Sequence, residues 1–220
     1  MDTYRELPIL TAVECRVLGS LIEKSKTTPD YYPMTLNGLT AACNQKTSRH
    51  PVTEYDEETV VLALNNLKAQ SLIATAVGGG SRVIKYKHNF TTVHEIEANE
   101  LAILCLLMLR GPQTPGELNT NSARLYEFKS LDEVYSVLNK LMSSETPYVK
   151  ELAKRPGQKE VRYAHLLSGE ISEDTASFQS DIPQEPARKH VNEMEARIAT
   201  LETDLAEVKE TLAKIMKELF

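Results

Sequence analysis

The residues with most to offer chemically are cations in polar loops. Lys46, Arg49 and His50 stand close together in the stretch Asn44-Gln45-Lys46-Thr47-Ser48-Arg49-His50-Pro51-Val52. Their chemistry is electrostatic, since a guanidinium or ammonium group donates charge-assisted hydrogen bonds to phosphate oxygens. The alternative is a solvated loop in which Arg49 pairs with a neighbouring acid. A second group, Lys154, Arg155 and Lys159, surrounds the turn signal Pro156-Gly157, and Arg82 follows Gly78-Gly79-Gly80-Ser81. Cations on such turns suit a nucleic-acid backbone; the alternative is a solvated hairpin that resists aggregation. Asn65 and Asn66 carry amides able to pair with adenine in a major groove, although surface asparagine is more often simply polar. The glycine run is no P-loop, because it lacks the Gly-Lys-Ser/Thr ending.

Catalysis is harder to build. His50, His88, His94, His165 and His190 show no metal-ligand spacing, and no nucleophile has a base at motif spacing. Cys15, Cys43 and Cys105 lie far apart on apolar segments, which suits reduced, buried thiols. The expectation is a protein without enzymatic activity, metal or cofactor.

Composition narrows the choice. The 220 residues allow one or two domains, and 41% hydrophobic content with no tryptophan implies mostly aliphatic cores. The net charge is −6, spread as +1 over residues 1–90, −2 over 91–170 and −5 over 171–220. A DNA-binding domain is usually clearly basic, so only local patches can serve phosphate. Residues 1–6 show no signal-peptide core. The longest apolar run, residues 101–109, is too short to span a bilayer, and the reading is a cytoplasmic protein.

The elements that must position these residues are legible. Thr11-Ala12-Val13-Glu14 is a capping box opening a helix to about Lys26. Thr35 starts a short helix over 36–43. Asp56 caps a third, with Val60, Leu64 and Leu67 inward. Strands at 73–77 and 83–87 flank the glycine loop. This is the order of a winged helix-turn-helix. The unit recurs: Leu64-Asn65-Asn66-Leu67 returns as Leu138-Asn139-Lys140-Leu141, and Lys85-Tyr86-Lys87-His88 as Arg162-Tyr163-Ala164-His165. In the second copy residues 101–109 are apolar on every side and predict a buried central helix. Thr114-Pro115-Gly116-Glu117 and Ser130-Leu131-Asp132-Glu133 are further capping boxes. Strands follow at 148–152 and 161–166.

Residues 169–186 read as a flexible linker rich in Ser, Glu, Asp and Pro. Beyond it, Val191, Met194, Ile198, Leu201, Leu205, Val208, Leu212, Ile215 and Leu219 alternate spacings of three and four. That is an a/d seam about 40 Å long at 1.5 Å per residue. Arg197 would meet Glu202 and Asp204 would meet Lys209 across a parallel homodimer. The alternatives are a higher-order coil and a helix packing back on its own chain.

The fold class expected is therefore mainly α with small β-wings (α+β). It comprises winged-helix domains at 8–90 and 91–168, a linker at 169–186, and a coiled-coil helix at 187–220. Residues 44–52, 110–118, 124–128 and 155–166 together resemble the YceH family, bacterial tandem winged-helix proteins of unknown function. The resemblance covers roughly 8–168; it implies the fold, a cytoplasmic soluble protein and no known catalytic activity. The functional expectation is a dimeric, regulator-like protein binding double-stranded DNA through Lys46, Arg49, His50, Asn65, Asn66, Arg82, Lys154, Arg155 and Lys159. Acidic helix N-termini at Asp56-Glu57-Glu58 and Asp132-Glu133, with an outward Leu62, favour instead a scaffold that binds proteins.

Overall fold

The computed structural model describes residues 7–77, 83–154 and 160–169. Helix α1, Ala12–Thr27, begins as expected. Thr11 Oγ1 accepts from Glu14 N–H, and Glu14 Oε2 accepts from Thr11 N–H at 2.8 Å. Lys24 and Lys26 close it, favourable at the negative end of the helix dipole. A two-residue strand β1, Met34–Thr35, leads into α2, Leu36–Cys43, capped by Thr35. Helix α3, Glu57–Ala69, is capped by Asp56, which accepts from Thr59 N–H at 2.8 Å. Strands β2, Ile73–Val77, and β3, Ile84–His88, pair antiparallel with β3 in the centre of the order β1-β3-β2.

A short helix that the residue pattern does not announce, α4, Phe90–His94, links the halves. Its segment is mostly β-branched and aromatic, poor helix material. It forms because Phe90 is fully buried. Helix α5, Ala98–Arg110, follows, with Leu101 to Leu109 all buried. Then come α6, Pro115–Ser122, α7, Leu131–Ser143, and an antiparallel pair, β4, Val149–Glu151, and β5, Tyr163–His165. The fold class is thus helical with small antiparallel sheets.

The internal repeat extends to pairing register. Met34, just before capping Thr35, pairs with Tyr86, and Gln113, just before capping Thr114, bridges to Tyr163. Ile73 pairs with His88, and Val149 with His165.

One capping expectation is corrected. Ser130 does accept from Glu133 N–H, but Glu133 does not return to Ser130. Its carboxylate reaches Lys129 N–H at 2.8 Å and the Tyr126 hydroxyl at 3.1 Å.

The two halves bury α1 and α5 against each other. Gly19 on α1 makes the approach possible: a Cβ there would lie 3.0 Å from Leu109 Cδ2. Cys105 Sγ donates to Gly19 O across the same seam. One continuous aliphatic core results, running from Leu18 and Leu21 through Leu104 and Leu107 to Leu138. Among the described residues no helix is long and apolar enough to cross a membrane. The seam residues Val191 to Leu219 lie outside the described residues, as does the segment read as a linker beyond Gly169.

Candidate functional site

The loop after α2 does not present all of its cations. Arg49 is buried, with no exposed side-chain surface. Its Nη2 meets Glu23 Oε2 at 2.6 Å and its Nη1 meets Oε1 at 3.0 Å. Nε and Nη2 donate to Ala42 O, Nη2 also to Gln45 Oε1, and Nη1 to Ser48 O. With its donors committed inward, Arg49 cannot contact phosphate, and that expectation is corrected. Its acid is Glu23 on α1, far away in sequence, where no local pattern would reveal it. Burial alone would raise the Glu23 carboxyl, but hydrogen bonding and charge from Arg49, with Lys24 beside it, hold it below its ordinary value. Lys46 is exposed. His50 is partly buried, and its N–H donates to Leu109 O at 2.8 Å, tying the loop to α5.

The two third helices share one device. Asn66 on α3 donates from Nδ2 to Glu14 Oε1 at 2.9 Å. Lys140, its counterpart on α7, meets Glu97 Oε1 at 2.8 Å and Glu100 Oε1 at 3.0 Å. Glu14 and Glu100 are equivalent residues, the N3 carboxylates of α1 and α5. Each gives one oxygen to its own helix cap and the other to the third helix. Asn66 is exposed and retains a second amide hydrogen and its Oδ1, so the bond to Glu14 orients the amide without committing it wholly to the fold. The Lys140 charge is met by two carboxylates, which raise its pKa.

Toward their N-termini these helices leave acidic and apolar residues outward, with amides and the exposed Lys68 and Lys140 further along. On α3 the exposed residues include Glu57, Glu58, Leu62 and Asn65, with Leu62 61% exposed. On α7 they include Leu131, Asp132, Tyr135, Ser136 and Asn139. Of the hairpin cations, Lys154 is exposed, whereas Arg82, Arg155 and Lys159 lie outside the described residues. Arg162, which the residue pattern did not single out, forms a fork onto Glu117 at 2.8 and 2.9 Å and also donates to Pro112 O.

The nucleophilic and titratable groups serve the core. All three cysteines are buried free thiols, and burial pushes Cys15 up to about 11. A thiol so raised is a poor nucleophile at neutral pH. His94 Nδ1 lies 3.1 Å from the Tyr148 hydroxyl. His88 and His165 end β3 and β5, and His88 Nε2 faces Ser25 Oγ at 3.3 Å. The Nδ1 atoms of both are buried with no partner among the described residues.

Burial lowers both imidazoles from 6.5 to about 4, with Lys26 adding to the effect at His88. In the unfolded chain each protonates near 6.5, so between those values the unfolded state binds more protons. Stability is then complete above about pH 6.5 and falls as pH drops toward 4, by at most about 3 kcal/mol per imidazole. Urea unfolding of wild type between these pH values is expected to show this slope. A variant with His88→Asn and His165→Asn is expected to flatten it.

The chain is similar to known proteins over most of its length. Residues 10–158 match the family model described as protein of unknown function, DUF480. The chain is 46% identical over 219 residues to a UPF0502 protein of Aliivibrio fischeri strain MJ11, covering 96% of this chain and 98% of that one. It is 44% identical over 215 residues to the UPF0502 protein YceH of Escherichia fergusonii, covering 96% and 97%. A Shewanella halifaxensis UPF0502 protein is 44% identical over 211 residues, covering 94% and 98%.

Proposed function

The chain belongs to the DUF480 family of proteins of unknown function, and we propose that it acts as a non-enzymatic, cytoplasmic interaction protein built from two winged helices. Its third helices, α3 and α7, bind protein rather than read base edges. The observation that carries this is the pair of tie-backs, Asn66 to Glu14 and Lys140 to Glu97 and Glu100. A helix that reads a major groove needs cations or amides aimed outward near its N-terminus. Here Glu57, Glu58 and Asp132 occupy that end and would repel phosphate, while Leu62, Leu131 and Tyr135 offer apolar surface. A partner that fits is a protein face carrying basic groups around an apolar patch. The winged-helix assignment rests on the repeated order of helix, short strand or bridge, two helices and a hairpin.

Self-association through the seam from Val191 to Leu219 would present two such units, and paired units gain avidity. Light scattering is expected to give twice the 24.6 kDa chain mass. The dual substitution Leu201→Asp and Leu205→Asp is expected to reduce it to one.

The protein-binding reading is tested by placing a photo-crosslinking residue at Leu62 or at Tyr135 in a bacterial host. Discrete protein adducts from both positions, and none from the exposed control Thr120, are expected. Adducts to nucleic acid, or the same adducts from all three positions, would refute the reading. A second reading keeps double-stranded DNA as the partner. Exposure of Lys46 and Lys154 favours it. The backbone contacts would then come from those two, His50 and the hairpin residues Arg82, Arg155 and Lys159, with Asn65 and Asn66 turned to base edges.

A further inference from the structure

A cleft of about 160 Å³ opens where the two halves meet, between α1, the loop after α2, α5 and the end of α6. Lys24, Arg110 and Arg124 line it, with Glu23 as the one lining carboxylate among the described residues. Glu23 is already neutralised, because both of its oxygens are held by Arg49, and Lys24 Nζ lies 3.4 Å away. Lys24, Arg110 and Arg124 therefore surround a recess whose lining holds no second carboxylate among the described residues. The wall also holds hydrogen-bonding groups: Arg110 Nη2 donates to Ser48 Oγ at 2.8 Å, and Lys24 Nζ donates to Gln45 Oε1 at 3.2 Å. Guanidinium forks suit the paired oxygens of a phosphate, and Lys24 adds a compact charge.

We propose that this cleft binds a small phosphate-bearing anion, either inorganic phosphate or the phosphate of a small monoester. The recess favours a small ligand over a duplex backbone: the side chains of Lys24 and Glu23 are only 16% and 14% exposed. Occupancy would join α1, the loop carrying Lys46, α5 and the residues after α6. The ligand would thereby bridge groups from both halves beside the core they already share, a route for regulating either outward face. The proposal does not depend on which partner those faces bind.

The test is calorimetric titration of the full chain with inorganic phosphate at constant ionic strength, with chloride as the matched control. Saturable binding with a Kd on the order of 1 mM or tighter is expected. Arg124→Gln, on the exposed rim, is expected to weaken it about tenfold or more while leaving the thermal midpoint of the free protein unchanged. Arg110→Gln is expected to weaken it as well. Absence of saturable heat, identical heat from chloride, or unchanged affinity in Arg124→Gln would overturn the site. Displacement of the bound phosphate by duplex DNA would place a nucleic-acid backbone in the cleft and overturn the small-ligand assignment.

Discussion

Arg49→Ala is expected to cost about 3–5 kcal/mol of stability, measured by urea unfolding at neutral pH. The side chain has no exposed surface and holds both oxygens of Glu23 as well as the Ala42 and Ser48 carbonyls. Removing it strands a carboxylate in a site only 14% exposed and leaves two backbone acceptors to find water. Arg49→Lys is expected to lose less, since it keeps the charge but cannot serve carbonyl and carboxylate with one planar fork. A contact residue for phosphate would behave in the opposite way, losing a ligand while the fold stood unchanged. The pair also has its own pH window. Glu23 is held below its ordinary value, so its contribution is present above about pH 4.5 and is lost as pH falls further, starting at the acid end of the range in which the histidines act.

Leu107→Ala is expected to cost about 2–5 kcal/mol, the range for deleting a fully buried leucine where the surroundings close incompletely. Leu107 belongs to α5, which packs on α1 of the first half through the close approach at Gly19. The halves are accordingly expected to unfold in one transition. Leu21→Ala, in the first half, should lower the same midpoint that Leu107→Ala lowers. Tryptophan is absent from the chain, so circular dichroism is the natural probe. Two separate transitions, with each substitution moving only its own, would contradict the shared core.

Local signals were the ones a reader of the residues could use. Thr11 with Glu14, Asp56, and Thr114 with Glu117 mark helix starts because a short polar side chain and a nearby carboxylate satisfy orphan N–H groups whatever surrounds them. The repeat was visible because Leu64, Leu67, Leu138 and Leu141 face the core in both copies. What stayed hidden depends on distance in the chain. The pairing of Arg49 with Glu23 spans 26 residues, and Asn66 with Glu14 spans 52. Neither partner carries a sequence mark that distinguishes a solvated charge from a committed one. Gly19 is unremarkable as a residue and becomes informative only once Leu109 lies against it. Helix α4 was missed because burial of Phe90, not intrinsic propensity, forms it. The correction to the candidate site follows from such a long-range pair: Arg49, the residue withdrawn, is held by a carboxylate on α1.

The most direct measurement is fluorescence anisotropy of a labelled mixed-sequence duplex titrated with the full chain at about 50 mM and 200 mM salt. With Asn66 and Lys140 tied to the first helix of each half and the helix N-termini acidic, no binding is expected at tens of micromolar protein even in the lower salt. Micromolar binding that weakens on the order of a thousandfold at the higher salt, and is lost when Lys46 and Lys154 become alanine, would contradict it. Lys154 and the loop after α2 would then be the working surface, and α3 and α7 its scaffold.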